Sequence, residues 1–159
     1  MPVEIERKFL LKDETWRGFV SRSEHLRDGL VASTEGRKVR VRLYDARATL
    51  TIKSQQVHGT RDEFEYEIPR QDAIDLLTKH CGPHLLDKTR HYIPFRGLTW
   101  EIDVYEGILE GVVLAEVELP HAHTQLEMPS WAGDEVTGRP EFKKINMIRA
   151  RLALLRGVS

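Results

Sequence analysis

Apolar and polar residues alternate with a period of two through most of the chain, which is typical of strands with two different faces. About eight segments follow this pattern, near residues 3–11, 27–33, 37–45, 47–54, 61–69, 85–95, 99–106 and 111–119. Short stretches that contain glycine, proline or aspartate separate most of them and are plausible turns. The pattern therefore predicts a domain built mainly from strands.

Three segments instead have the period of an α-helix. Residues 13–22 carry apolar side chains at helical spacing behind Asp13, and residues 70–79 do the same before Gly82-Pro83. Residues 141–156 place an apolar stripe on one face, formed by Phe142, Ile145, Ile148, Leu152 and Leu155. No element is assigned to the stretch 121–140. Eight strands and three amphipathic helices predict a β-rich α+β fold.

Composition limits the function classes. The chain has 159 residues, 40% hydrophobic and 31% charged, and its 24 Lys and Arg nearly balance its 25 Asp and Glu. These values predict one domain over residues 1–159 and disfavour a generic nucleic-acid-binding protein, which would be basic. The chain has no apolar run of membrane-spanning length, no signal-peptide pattern, and only one cysteine, Cys81. We therefore expect a cytoplasmic monomer or homodimer without nucleic-acid or membrane partners.

Charged residues lie on one face of nearly every strand, in blocks of one sign. The clearest blocks are Glu4-x-Glu6, Arg40-x-Arg42, Glu63-x-Glu65-x-Glu67, Glu101-x-Asp103 and Glu116-x-Glu118. The ordinary explanation is a sheet with one solvated face and one core face. Side chains two residues apart on a strand point the same way, however, and like charges there repel. Repetition of this repulsion on several strands indicates a ligand that relieves it.

Both signs are accommodated if the strands close into a barrel with their charged faces inward. Eight antiparallel strands leave an interior just wide enough for side chains or one small ligand. Divalent cations bind carboxylate pairs, and polyanions bind pairs of arginines. The pattern therefore predicts a polyphosphate chain that binds together with Mg²⁺ or Mn²⁺.

The same blocks resemble, in the same order, the motifs of the CYTH superfamily, the triphosphate tunnel metalloenzymes. The segment Glu4-Ile5-Glu6-Arg7-Lys8 resembles the Glu-x-Glu-x-Lys signature of that family, and Val39-Arg40-Val41-Arg42-Leu43 resembles its Arg-x-Arg strand. Further resembling segments are Leu50-Thr51-Ile52-Lys53, Lys88-Thr89-Arg90, residues 100–107 and Ala115-Glu116-Val117-Glu118-Leu119. The resemblance spans roughly residues 3–150. It implies an eight-stranded antiparallel tunnel that hydrolyses or cyclises a triphosphate with a divalent metal, with the last helix at one end.

The resemblance also implies roles for individual residues. Phosphate oxygens would be bound by Lys8, Arg40, Arg42, Lys53, Lys88, Arg90 and Lys143, with Lys144 as an alternative to Lys143. The metal would be held by Glu4, Glu6, Asp103, Glu116 and Glu118, and catalysis would fall to Glu4, Glu6, Lys88, Glu116 and Glu118. Further tunnel residues would be Arg61, Glu63, Glu65, Glu67 and Glu101. Leu30 stands where several similar proteins have a tyrosine, so any mechanism that pairs this tyrosine with Lys88 is in doubt.

Three functions stay open at this point. The small bacterial members most similar to this chain are mainly inorganic triphosphatases, which implies hydrolysis of triphosphate to pyrophosphate and phosphate. A class IV adenylyl cyclase or a thiamine triphosphatase would act on an organic triphosphate through the same motifs. A non-catalytic polyphosphate-binding module would need chiefly the basic half of the site, so the intact acidic blocks favour the hydrolase. The chain has no P-loop and no Gly-x-Gly-x-x-Gly motif.

Overall fold

The computed structural model describes residues 3–55, 57–58, 60–83 and 85–157. The strands are β1 (Val3–Leu11), β2 (Arg22–Thr34), β3 (Arg37–Leu43), β4 (Ala48–Lys53), β5 (Thr60–Ile68), β6 (Leu86–Phe95), β7 (Leu98–Glu106), β8 (Val113–Glu118) and β9 (Ala132–Glu135). Two α-helices accompany them, α1 (Arg70–Lys79) and α2 (Lys144–Leu155). The fold is α+β and rich in strands, as the alternation predicts.

Eight antiparallel strands close into a barrel in the order β5-β4-β3-β2-β6-β7-β8-β1. The barrel closes where the first residues of β1 pair with β5, with Glu4 opposite Arg61. The short strand β9 pairs with the last residues of β1, on the edge that β5 leaves free. Closure removes the exposed strand edges on which other chains would add. The predicted closed barrel is therefore confirmed, with one additional strand outside it.

The outward face of the barrel is apolar and is covered in sections. Helix α1 packs Ala73 and Leu77 on Val41 of β3. On another side, Phe9, Trp100 and Trp131 form part of a second core cluster that covers the outer face of β1, β7 and β8. Helix α2 places Met147 and Ile148 in a third cluster with Leu109 and Leu114. Because the apolar side chains are buried on the outside, the charged side chains of the same strands face the interior.

The predicted helix over residues 13–22 is wrong. Only a five-residue 3₁₀ turn forms there, from Thr15 to Phe19, and β2 begins at Arg22 rather than near residue 27. Trp16 is completely buried but Phe19 is 60% exposed, so the apolar spacing does not produce a buried helical face. Pairing with β6 extends to Arg22, and the preceding Ser21 donates a backbone hydrogen bond to the carbonyl of Tyr92. Sheet pairing outweighs the weak local helix signal in this segment.

The C-terminal part also differs from the expectation. Strand β9 lies in the stretch to which no element was assigned, and helix α2 begins at Lys144, after a 3₁₀ turn from Pro140 to Phe142. The predicted apolar stripe holds for Ile148, which is buried, but Leu155 is 79% exposed. No helix in the described ranges is long and apolar enough to cross a membrane.

Candidate functional site

The inward-facing charged side chains surround a cavity of about 860 Å³. Most residues predicted to form a tunnel line it, namely Glu4, Glu6, Lys8, Arg40, Arg42, Lys53, Arg61, Glu63, Arg90, Glu101, Glu116, Glu118 and Lys143. Lys88 and Asp103 are buried in the wall beside them. Glu65 and Glu67 are exposed to solvent and do not line the cavity. The structure thus brings together all but the outermost members of the predicted set.

The acidic wall is formed mainly by β1 and β8. Glu6 lies opposite Glu118 in the strand pairing, and Lys8 lies opposite Glu116. Arg61 donates hydrogen bonds to Glu4 at 2.7 Å and to Glu6 at 3.1 Å. Lys53 Nζ also lies 3.3 Å from Glu4, and Lys8 Nζ lies 3.7 Å from Glu116. Four carboxylates, those of Glu4, Glu6, Glu116 and Glu118, thus share the three cations Lys8, Lys53 and Arg61.

The crowding of carboxylates at the acidic wall shifts the pKa values of its glutamates. Burial, together with the negative charges of Glu116 and Glu4, raises the pKa of Glu6 to about 8. Burial also acts on Glu4, but the opposing charges of Lys53 and Arg61 lower its pKa to about 2. Burial and the neighbouring Glu4 raise the pKa of Glu118. A further positive charge at this wall would lower the pKa of Glu6.

This donor set fits a hard divalent cation. Carboxylate oxygens are the ligands that Mg²⁺ and Mn²⁺ prefer, and the crowding of Glu4, Glu6 and Glu116 is relieved by an added positive charge. No group of three His, Cys, Asp or Glu side chains within the described part of the chain forms a ready-made metal cluster. Mg²⁺ usually takes only one or two carboxylates and completes its shell with water and substrate phosphates. The arrangement therefore suits an ion shared between the acidic wall and a phosphorylated ligand.

The two arginines of β3, Arg40 and Arg42, form the basic wall of the cavity and differ in their partners. Arg42 donates from Nε and Nη2 to both oxygens of Asp28, at 2.7 and 2.9 Å. Arg40, two residues away on β3, makes no ion pair with any described residue, and its buried Nε has no hydrogen-bond partner there. Burial and the charges of Arg42 and Arg90 lower the pKa of Arg40. An unpaired guanidinium that lines a cavity is a binding group for an anion.

A second ion-pair group lies in the wall formed by β6 and β7. Arg90 donates to both oxygens of Asp103, at 2.8 and 2.9 Å, and to Glu101 at 3.1 Å. The completely buried Lys88 places its Nζ 2.8 Å from Asp103 Oδ2. Asp103, which the resemblance implies as a metal ligand, therefore has both oxygens occupied by cations. The contacts place Lys88 and Asp103 behind the surface of the cavity.

Two further cations line the cavity where α2 begins, Lys143 directly before the helix and Lys144 as its first residue. Burial and the nearby charge of Lys88 hold the pKa of Lys144 well below its usual range. Sequence reasoning missed Asp28 and also left Lys38 out of the candidate set, although both line the cavity. Asp28 belongs to none of the charged blocks, so the sequence pattern did not mark it, and its position opposite Arg42 follows only from the pairing of β2 and β3.

Comparisons with known proteins point in one direction. The model of a family described as the CYTH domain matches residues 2–148. The chain is 34% identical over 149 residues to an inorganic triphosphatase of Acetivibrio thermocellus, covering 94% of this chain and 95% of that protein. It is 32% identical over 146 residues to an inorganic triphosphatase of Nitrosomonas europaea, covering 88% and 93% respectively. The crystal structure of the inorganic triphosphatase NE1496 superposes with a TM-score of 0.64 at 28% identity, over 91% of this chain and 97% of that chain.

Proposed function

The chain belongs to the CYTH domain family, and from this membership and the geometry of the cavity we propose that it is a metal-dependent inorganic triphosphatase. It hydrolyses inorganic triphosphate to pyrophosphate and phosphate inside the barrel. The observation that carries the proposal is the Arg40 guanidinium, which has no ion-pair partner in the described part of the chain and lines a cavity that is also lined by the carboxylates of Glu4, Glu6, Glu116 and Glu118. A dense polyanion that arrives with a divalent cation satisfies both walls at once.

The phosphate oxygens are bound by the cations that line the cavity. Arg40 offers a planar guanidinium with free donors, and Lys8, Lys53 and Lys143 add compact ammonium charges. Arg42 and Arg90 also face the cavity, but Asp28 and Asp103 fix their positions. Phosphoryl transfer depends almost entirely on positioning and charge stabilisation, which a preformed array of this kind supplies.

A metal ion would be held by the carboxylates of the acidic wall, Glu4, Glu6, Glu116 and Glu118. When bound, a divalent ion neutralises phosphoryl oxygens and lowers the pKa of a water molecule, and oxygen-only donors favour Mg²⁺ or Mn²⁺. Asp103 has a different role, because its Oδ1 accepts a hydrogen bond from Arg90 and its Oδ2 accepts hydrogen bonds from Arg90 and Lys88. Lys88 acts through Asp103 and Arg90 rather than directly on the substrate.

An organic triphosphate is a second candidate substrate, because one side of the cavity is apolar. Its apolar lining residues are Leu30, Leu86, and Ile145 and Ile148 of α2. An organic group attached to the terminal phosphate has room there, since the cavity of about 860 Å³ lies within the range of small-molecule sites. Products distinguish the two candidates, since a cyclase releases cyclic AMP from ATP.

The deciding experiment incubates the purified protein with inorganic triphosphate, ATP or thiamine triphosphate, each with Mg²⁺ or Mn²⁺. Phosphorus NMR identifies the products. We expect conversion of inorganic triphosphate to equal amounts of pyrophosphate and phosphate, with slower or no turnover of the other two. Faster turnover of an organic triphosphate would move the assignment to that substrate. Binding of triphosphate without any product would make the protein a binding module and the proposed hydrolysis wrong.

A further inference from the structure

Asp28 occupies an unusual position among the cations of the cavity. Its side chain on β2 is only 5% exposed, and its two oxygens accept both hydrogen bonds of the Arg42 fork. Its Oδ2 also lies 3.8 Å from Lys88 Nζ and 4.0 Å from Lys144 Nζ. One carboxylate therefore contacts cations from β3, β6 and α2, three elements that meet nowhere else through a described ion pair.

Without Asp28, the cations around it would repel one another. Arg40, Arg42 and Lys88 lie in one buried region, and like charges in a low dielectric repel strongly. The hydrogen-bond geometry of Asp28 goes beyond neutralising this charge, because a bidentate pair fixes the plane of the Arg42 guanidinium. Nη1 of Arg42 donates to no described residue, and Arg42 itself lines the cavity. The anchored arginine thus keeps donors for a ligand while its orientation is set from behind.

We propose that Asp28 is a positioning residue of the phosphate-binding wall: it orients Arg42 and holds Lys88 and Lys144 around it, so that this wall is formed before a ligand arrives. The inference rests on the proposed triphosphatase function for the identity of the ligand. Its test uses binding rather than turnover, so the two can fail separately. Preorganisation strengthens binding because the cost of ordering the side chains is met on folding.

The test measures the affinity of inorganic triphosphate by calorimetry with EDTA present, so that only the protein's own cations act. The variant Asp28→Asn keeps the shape of the side chain and removes its charge. By charge alone this substitution should strengthen the binding of a polyanion, because one repelling carboxylate disappears. Positioning predicts the opposite, namely affinity at least tenfold weaker than that of the wild type.

Asp87→Asn is the matched control. Asp87 lies on β6, and it also receives two hydrogen bonds from an arginine, Arg27, at 2.8 and 3.4 Å, but this pair is on the exposed outer surface. We expect its affinity to stay within twofold of the wild type. Asp28→Glu keeps the charge and shifts it by one methylene, so positioning predicts an affinity between those of the wild type and Asp28→Asn. It also serves as the test if Asp28→Asn does not fold.

Four results would overturn the inference. They are unchanged or tighter binding by Asp28→Asn, wild-type affinity in Asp28→Glu, an equal loss in Asp87→Asn, or no binding of triphosphate by the metal-free wild type. A double variant adds an independent check. If Asp28 acts through Arg42, the effects of Asp28→Asn and Arg42→Lys overlap. The affinity of the double variant is then at most threefold below that of the single variant with the lower affinity. Fully additive losses would show that the two residues act separately. Wild-type binding without turnover would overturn the proposed hydrolysis but not the role of Asp28.

Discussion

Arg40 and Arg42 allow a direct test of the distinction between a ligand-binding cation and a structural one. They are two residues apart on β3 and both line the cavity, yet only Arg42 has a carboxylate partner among the described residues. Replacing each by methionine removes the charge and keeps much of the side-chain volume. We expect the two variants to differ in stability in the absence of ligand, although both weaken triphosphate binding.

The size of the difference follows from the partner left behind. Arg42→Met leaves the buried Asp28 without its bidentate partner, and breaking such a pair costs about 3–5 kcal/mol. Lys88 and Lys144 lie 3.8 and 4.0 Å from Asp28 and can replace part of the lost interaction, which favours the lower end of that range. For a domain of this length, 1 kcal/mol corresponds to about 2–4 °C in Tm, so the loss is about 6–20 °C. Arg40→Met leaves no carboxylate unpaired and removes a repelling charge, so its Tm should not fall.

Thermal unfolding followed by circular dichroism at neutral pH, without metal or phosphate, measures the stability difference. Triphosphate affinity is measured separately, and loss of a charge-assisted hydrogen bond of about 1.5–3 kcal/mol predicts binding roughly 10–150-fold weaker for Arg40→Met. If Arg40→Met melts as low as Arg42→Met, Arg40 has a structural partner and the argument for its role in ligand binding is refuted. If its affinity is unchanged, Arg40 does not bind the substrate.

Three further predictions concern the acidic wall and the outer surface. Glu116→Gln should abolish turnover of inorganic triphosphate while the protein stays folded. The control Glu67→Gln replaces an exposed glutamate outside the cavity and should keep this turnover. Equal activity of the two variants would remove Glu116 from the metal site. Chelation with EDTA should abolish turnover, and added Mg²⁺ or Mn²⁺ should restore it; turnover that persists in EDTA would contradict metal dependence. Glu135→Ala breaks a pair with Arg7 that is about one-third exposed, so urea unfolding should show a loss below about 1 kcal/mol.

The barrel could be predicted from the sequence because its two faces differ so strongly. Each strand alternates apolar side chains, which need to be buried, with charged side chains, which need partners if they are buried. A closed barrel with its charges inward meets both requirements. Short or weakly patterned segments could not be placed in the same way. The four residues of β9 carry no alternation of their own and are held by backbone pairing to Phe9 and Leu11 of β1. That pairing depends on a contact more than 120 residues distant, which no local pattern contains.

The candidate site was predictable in its charges but not in their pairing. Parity along the strands identified Glu4, Glu6 and Arg40 as inward-facing, and they line the cavity. The same parity treated Arg40 and Arg42 as equivalent, because spacing records the direction of a side chain and not its partner. The partner, Asp28, is a single acidic residue outside any charged block, and its position opposite Arg42 depends on the register of β2 and β3.

The inward-facing charges of the barrel fall into two groups. Some are paired with opposite charges of the protein, and others are left for a ligand to pair with. In the wall of the cavity, Asp28 and Asp103 pair with Arg42, Arg90 and Lys88, so these buried charges have opposite charges beside them without a ligand. At the cavity surface, Arg40 has no ion-pair partner among the described residues, and Glu6, which shares Arg61 with Glu4, has a raised pKa. A metal ion and a polyphosphate together suit this arrangement. The ion adds positive charge beside the acidic wall, and the polyphosphate adds negative charge beside Arg40.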